Sequence, residues 1–380
     1  MRRIATTPRP GWQAKVEALG LAWHSAGEEP YWNEGAYYSF TPGEIAEIEA
    51  ATAELYRLFV AAGDHIVGAN LFERFALPAW TVPLIRRAWE DEPPALNHGR
   101  FDLGYDGESP PKLFEFNCDT PTALLEASVV QWAWKDEVHP RADQFNGLHE
   151  RLVARWREIA PRLPSSQVHF AHLSEASGED AVTTAYLADT AREAGLTALP
   201  ALIEDIGWDG LGRRFVDMDG APIAALCKLY PWEWLVHDDF AQFIPEAPTL
   251  WIEPIWKMIW SNKAILPILW ELFPDHPNLL AAHRTPQTLT YAKKPMLARE
   301  GANVRLLRDG ATLASTGGDY GDEGYVYQAL YDLPDFGSDS GSVYPVIGSW
   351  VVDGTPAGMG IREDGLITGN TARFTPHIIA

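Results

Sequence analysis

The densest set of groups that could do chemistry lies in residues 99–127, GRFDLGYDGESPPKLFEFNCDTPTALLEA. Polar and apolar residues alternate on both sides of a turn-forming stretch, which predicts two strands. A strand sends every second side chain to one face. Arg100 and Asp102 therefore share a face, and so do Glu115 and Asn117. Asp106-Gly107 and Pro110-Pro111 carry turn chemistry. A hairpin closing symmetrically about residues 107–110 sets Asp102 opposite Glu115 and Arg100 opposite Asn117. Three oxygen-bearing side chains and one guanidinium then converge. Hard oxygen donors suit Mg2+, commonly held by one or two carboxylates together with substrate phosphates. Arginine suits bidentate recognition of phosphate or carboxylate. Thr120-Pro121-Thr122 follows and predicts a helix from about residue 121 to 136, capped by a threonine or Asp119, with an anion site at its N-terminus. A surface hairpin with solvated carboxylates would carry the same alternation.

Other polar clusters lie further along. Ser174, Glu175, Glu179 and Asp180 open a helix between two strands, where open α/β sheets bind ligands. A solvated cap cluster reads the same way. Lys293 and Lys294 end a short strand before the glycine-containing turn 299–303, a position able to bind phosphate and also frequent in ordinary turns.

These residues must be held by a frame. Thr41-Pro42 with Glu44 caps a helix whose Ile45, Ile48, Ala51, Leu55, Leu58 and Phe59 recur at helical spacing. Further helices are predicted over 11–20, 82–91 and 144–159, with an apolar helical region over 252–273. Residues 167–202 read as strand, helix, strand, a small Rossmann-like lobe. No glycine fingerprint for a dinucleotide is present. The C-terminal part is β-rich, with Val346 to Val352 as a central strand and Arg362 on the next. The fold class is mixed, α+β with α/β character. Three interleaved units are expected: 1–160, helical with the hairpin; 161–250, the Rossmann-like lobe; and 251–380, a nucleotide-binding region.

The formal net charge of −22 argues against nucleic acid or an anionic membrane surface as partner. The two cysteines, Cys118 and Cys227, lie far apart, which disfavours a disulfide framework or zinc site. The first residues lack a signal-peptide apolar core, and no apolar run approaches the roughly 18 residues of a membrane span. A cytoplasmic enzyme is expected. The 16 tryptophans fit core packing, or alternatively stacking walls for a planar or sugar ligand.

Six segments in order, EPYWNEGAYYSFT, GRFDLGYDG, KLFEFNCDTPTALLEA, SNKAILPILWELFP, YAKKPMLAREGANV and AGMGIREDGLITGNTARFTPH, resemble the glutathionylspermidine synthase family of ATP-grasp ligases. The resemblance is to stand-alone synthetase-like members without the amidase domain. It implies an ATP-grasp fold with a Rossmann-like preATP-grasp lobe, and ATP and Mg2+ as cofactors. It also implies an acylphosphate route from a carboxylate and an amine to an amide, with no obligate protein partner. By resemblance Asp102, Glu115 and Asn117 are metal ligands and Arg100 stabilises the transferring phosphoryl and the tetrahedral intermediate. Lys263 and Lys294 match phosphate-binding lysines, Arg299, Gly301 and Asn303 the loop over the phosphates, and Arg362 a late arginine on the nucleotide side. Gln328, Ala329 and Leu330 match the adenine hinge. Thr120 and Thr122 match residues beside the acyl substrate, and Glu179 and Asp180 an acidic pair that receives a polyamine. The chain departs from the pattern at Leu229 and Trp234, where bifunctional members carry threonines, so substrates other than glutathione and spermidine are open. Two rival readings are a non-catalytic nucleotide- or peptide-binding relative and a tryptophan-rich carbohydrate hydrolase using paired carboxylates.

Overall fold

The computed structural model describes residues 1–27, 29–175, 177–337, 341–370 and 372–380. Thr371, in the last of the six segments, lies outside them. The hairpin forms from His98–Gly104 and Lys112–Asn117, with Asp102 opposite Glu115 and Arg100 opposite Asn117, the register expected from the turn. A bulge follows Asp102. The hairpin is the edge of an antiparallel five-stranded sheet completed by Tyr344–Val352, Thr355–Asp364 and Arg373–Thr375. Tyr344–Val352 is its central strand. The helix Pro42–Gly68 packs on this sheet through its apolar stripe, and its Thr52 hydroxyl lies 2.6 Å from Ser349 Oγ. Thr41 and Glu44 form the expected reciprocal cap.

A second antiparallel sheet carries the other wall of the cleft. Its strands run in the order Ala282–His283, Tyr325–Gln328, Tyr291–Pro295, Arg305–Arg308 and Ala311–Ser315. The third unit is a parallel sheet in the order Leu250–Ile252, Ala225–Leu229, Gln167–His172 and Thr197–Leu202. The helix Glu179–Glu193 makes the crossover between its last two strands, which is the Rossmann-like lobe. Six tryptophans (32, 134, 156, 232, 260 and 350) are among the largest fully buried side chains, and Trp12, Trp23, Trp89, Trp208, Trp251 and Trp270 pack partly buried against the core, so most of the tryptophan content is packing.

Three local expectations change. The helix after the hairpin does not begin at Pro121: residues 121–123 form no helix, Ala123 is left-handed (φ 64°), and a π-helical turn, Glu126–Val130, precedes Gln131–Val138. Asp119 is not its cap. It is buried, and its carboxylate accepts from Lys228 Nζ and from the Trp232 amide, both at 2.7 Å. The 252–273 region is broken into Lys257–Trp260 and Ile265–Leu272, because Asn262 accepts from the Ala264 amide and donates to Phe75 O. That break turns Lys263 into the cleft. The helix expected over 144–159 begins later, at Leu148.

Two buried charge clusters join the same end of the hairpin to the Rossmann-like lobe. On one side Asp119 meets Lys228. On the other Glu253 accepts from His98 Nδ1 at 3.0 Å and lies 3.4 Å from Lys257. Removing one partner of such a pair strands a charge, whereas removing both does not. Lys228→Met is expected to lower the unfolding free energy by about 3–5 kcal/mol, and Asp119→Asn with Lys228→Met by clearly less. Urea denaturation of the two variants measures the difference; equal losses would show that the pair is not coupled.

Candidate active site

A cleft of about 270 Å³ opens where the three sheets meet. It is lined by Arg100, Asp102, Glu115 and Asn117 from the hairpin, and by Thr120 and Thr122 from the loop after it. Glu179, Asp180 and Trp234 come from the Rossmann-like lobe, and Lys263 from the broken helical region. Lys294, Arg299, Gly301, Gln328, Ala329 and Leu330 come from the second sheet, and Arg362 from Thr355–Asp364. Of the residues singled out in the sequence, Ser174, Glu175, Lys293 and Asn303 are not on the lining. Asn303 has a left-handed backbone (φ 52°), and its side-chain amide donates to Tyr320 O in the segment before Tyr325–Gln328.

The hairpin face is a lattice of charge. Asp102, 4 % exposed, accepts from Arg100 Nε at 2.7 Å, Arg362 at 2.5 Å and Asn117 Nδ2 at 3.2 Å. Arg100 also donates to Thr122 O at 2.7 Å. Gly348 lies across from Asp102 on the central strand, and a Cβ there would sit 2.6 Å from Arg100 Cδ. Glu115 pairs with Lys263 Nζ at 2.8 Å. Burial opposes ionisation of Glu115, but Lys263 and Lys294 overcome it and hold the carboxyl at about 2. Lys294 donates to Gln328 Oε1 at 2.7 Å and to Phe114 O at 3.2 Å. Burial and then the neighbouring Lys263 pull its ammonium down to about 8, against the attraction of Glu115. Four cations thus face two carboxylates, a surplus suited to a polyanion. Asp102, Glu115 and Asn117 offer hard oxygens on one face, a donor set that fits Mg2+ when phosphate oxygens complete it.

Gln328 also donates to Leu113 O at 2.9 Å, so its side chain bridges the two sheets. Gly301 adopts φ 67°, and a Cβ there would lie 2.6 Å from Thr368 O, so the loop closes only with glycine. Arg299 does not point at the lysines. It reaches Thr120 Oγ1 at 2.7 Å and Glu233 at 3.1 Å.

The acidic side is larger than the sequence suggests. Besides Glu179 and Asp180 it contains Glu126, fully buried, with Oε1 accepting from Tyr31 OH at 2.8 Å and Oε2 without a partner among the described residues. Glu300 adds a further negative charge nearby. Burial, then repulsion from Glu126, Asp180 and Glu300, raises Glu179 to about 7. Burial also raises Glu126 and, with Glu175, Asp180. Glu126 was the one residue here with a usable signal, a lone carboxylate inside the apolar run ALLEASVV. Tyr31 and Glu300 carried none.

Residues 3–380 match the family described as glutathionylspermidine synthase preATP-grasp. The chain belongs to the glutathionylspermidine synthase family. Relatives in this family include a protein of Haemophilus influenzae named "Putative acid–amine ligase", 40 % identical over 99 % of both chains. A trypanothione synthetase of Crithidia fasciculata is 29 % identical over 84 % of this chain. The bifunctional glutathionylspermidine synthetase/amidase of Escherichia coli is 27 % identical over 81 %. The chain matches about half the length of each of these two, 53 %. A glutathione synthetase-like effector from Globodera pallida shares the fold, with a TM-score of 0.57, 11 % identity and coverage of 99 % and 98 %. As a family member this chain is an enzyme of the carbon–nitrogen ligase type with a preATP-grasp lobe. Among the described residues no helix is long and apolar enough to cross a membrane.

The raised Glu179 gives the family's fold a pH signature. Burial and the neighbouring carboxylates favour the neutral acid over the carboxylate, so stability from this group is present below the unfolded value of 4.5 and lost as pH rises through about 7. Glu179→Gln is expected to stabilise the protein at about pH 8 by up to roughly 3 kcal/mol and to give little gain at about pH 4. Urea unfolding at the two pH values tests this; a gain equal at both would remove Glu179 from the acidic cluster.

Proposed function

We propose that the chain is an ATP- and Mg2+-dependent acid–amine ligase working through an acylphosphate. The observation that carries the reading is the meeting in one cleft of the hairpin carboxylates with Lys263, Lys294, Arg100 and Arg362. Lys263 and Lys294 would take the β- and γ-phosphates of ATP, and Asp102, Glu115 and Asn117 would hold Mg2+, which neutralises charge between them. The adenine would lie against Ala329 and Leu330. A substrate carboxylate oxygen attacks the γ-phosphorus and ADP leaves; an amine nitrogen then attacks the acyl carbon, expelling phosphate and losing a proton. Arg100, held by Asp102 and Thr122 O, is aimed at the charge that develops in both steps. Arg362 shares the same carboxylate and would add to the phosphate side.

The amine is read as a di- or polyamine. Glu179 and Asp180, backed by Glu126, form a pocket whose excess negative charge is relieved by a cation. The relatives' names point the same way, since two of them are named for glutathionylspermidine or trypanothione synthesis. The side of the cleft with Thr120, Leu229 and Trp234 is left to the carboxylate substrate.

ADP release measured across carboxylate and amine pairs, glutathione with spermidine included, tests the reaction. Release that requires both partners is expected, with Glu115→Ala lowering it by at least about a hundredfold, the scale on which lost electrostatic stabilisation falls. No release with any pair, together with no thermal shift from millimolar Mg-ATP, would reject the reading. The phosphate assignment of Lys294 has its own test. Its ammonium is pulled down to about 8, and bound phosphates would raise it again. Nucleotide binding at about pH 8.5 is therefore expected to take up a proton, and binding at about pH 6.5 to take up none. Calorimetry in buffers of different ionisation enthalpy reads the difference; no uptake at the higher pH would place Lys294 away from the phosphates.

A further inference from the structure

The loop 120–122 stands between two unlike chambers. On one side the Thr122 side chain lies beside the Glu179 carboxyl, while its carbonyl holds Arg100. On the other side Thr120 Oγ1 is bonded to Arg299, whose guanidinium lies 5.8 Å from the Trp234 ring. The second chamber continues onto Leu229, Pro231 and Trp234. Its charges are already spent: Arg299 is paired with Glu233 and Thr120. Trp234 is 40 % exposed and lines the cleft, with the Arg299 guanidinium over one side of its ring and Tyr230 edge-on at 5.9 Å.

We infer that the carboxylate substrate carries an uncharged, apolar or aromatic body next to its reacting carboxylate, and that Trp234 selects for it. This rests on the ligase reading. The reacting carboxylate would sit by Arg100 and Thr120, with the adjoining group stacked against Trp234 and Leu229. A body bearing an ammonium and a second carboxylate, such as the γ-glutamyl group of glutathione, finds no free counter-charge there. It would have to shed water without replacement hydrogen bonds. An amine is drawn to the acidic chamber instead, so the two substrates reach Arg100 from opposite sides of residues 120–122.

Two peptides with the same reacting glycine carboxylate separate the alternatives: N-acetyl-Phe-Gly and glutathione. Each is titrated calorimetrically into the full chain, with and without Mg2+ and a non-hydrolysable ATP analogue. N-acetyl-Phe-Gly is expected to bind at least about tenfold tighter than glutathione. Trp234→Thr should weaken it about tenfold, leaving glutathione within about threefold, and Trp234→Phe should restore most of the preference. Equal or tighter binding of glutathione, binding of neither peptide, or a preference unchanged in Trp234→Thr would overturn the inference. A peptide preference without any response to the ATP analogue would instead count against the ligase reading and leave the apolar subsite standing.

Discussion

Charges packed into the same low-dielectric cleft can persist only if they hold one another. Asp102 is almost wholly buried, and it takes bonds from Arg100, Arg362 and Asn117 at once. An unpaired carboxylate at that depth would cost several kcal/mol, so the positions of its partners are not free. Much else follows from this knot. Arg100 needs room beside the central strand, and Gly348 provides it. Arg362 must arrive from the neighbouring strand, which places Thr355–Asp364 two strands from the hairpin. Glu115 needs Lys263, and Lys263 reaches it because Asn262 breaks the apolar helical region one residue earlier.

The knot would be of little use if the lobe drifted relative to it. The two buried clusters, Asp119 with Lys228 and Glu253 with His98 and Lys257, meet the hairpin at the end from which residues 118–123 depart. Asp119 also binds the amide of Trp232, so the same carboxylate sets the start of the short helix Trp232–Leu235. That helix carries Glu233 and Trp234. The strand Lys112–Asn117, the loop 120–122 and the apolar wall are thus tied through a single buried side chain. The loop with its left-handed Ala123 and the π-helical turn after it are local departures that accompany this tie.

The cleft divides by polarity. Cations gather between the hairpin sheet and the second sheet, carboxylates toward the helix Glu179–Glu193, and apolar surface toward Trp234. Each region resists its own charge: Lys294 is pulled down toward neutrality and Glu179 pushed up to it. Both shifts would be relieved by a ligand of opposite sign, the phosphates proposed for one side and the ammonium proposed for the other. Such pre-set strain is how a site can favour occupied over empty states.

Much of this was legible in the sequence wherever neighbours along the chain decide the outcome. Alternation and turn residues set the hairpin register, and the reciprocal cap at Thr41 and Glu44 marked the long helix. The strand–helix–strand pattern marked the lobe. These are short-range effects of periodicity and backbone geometry, the same in any context. Tertiary structure decided the rest. Asp119 looks like a helix cap and is a buried ion-pair partner, because Lys228 arrives from a strand more than a hundred residues away. Glu126 looks like an ordinary helix residue and backs the acidic chamber, because the fold brings Tyr31 and Glu179 beside it. Arg299 looks like part of a phosphate loop and reaches instead to Thr120 and Glu233, because the loop folds over the lobe. What a charged side chain does depends on which opposite charge the fold delivers to it, and no local pattern encodes that meeting.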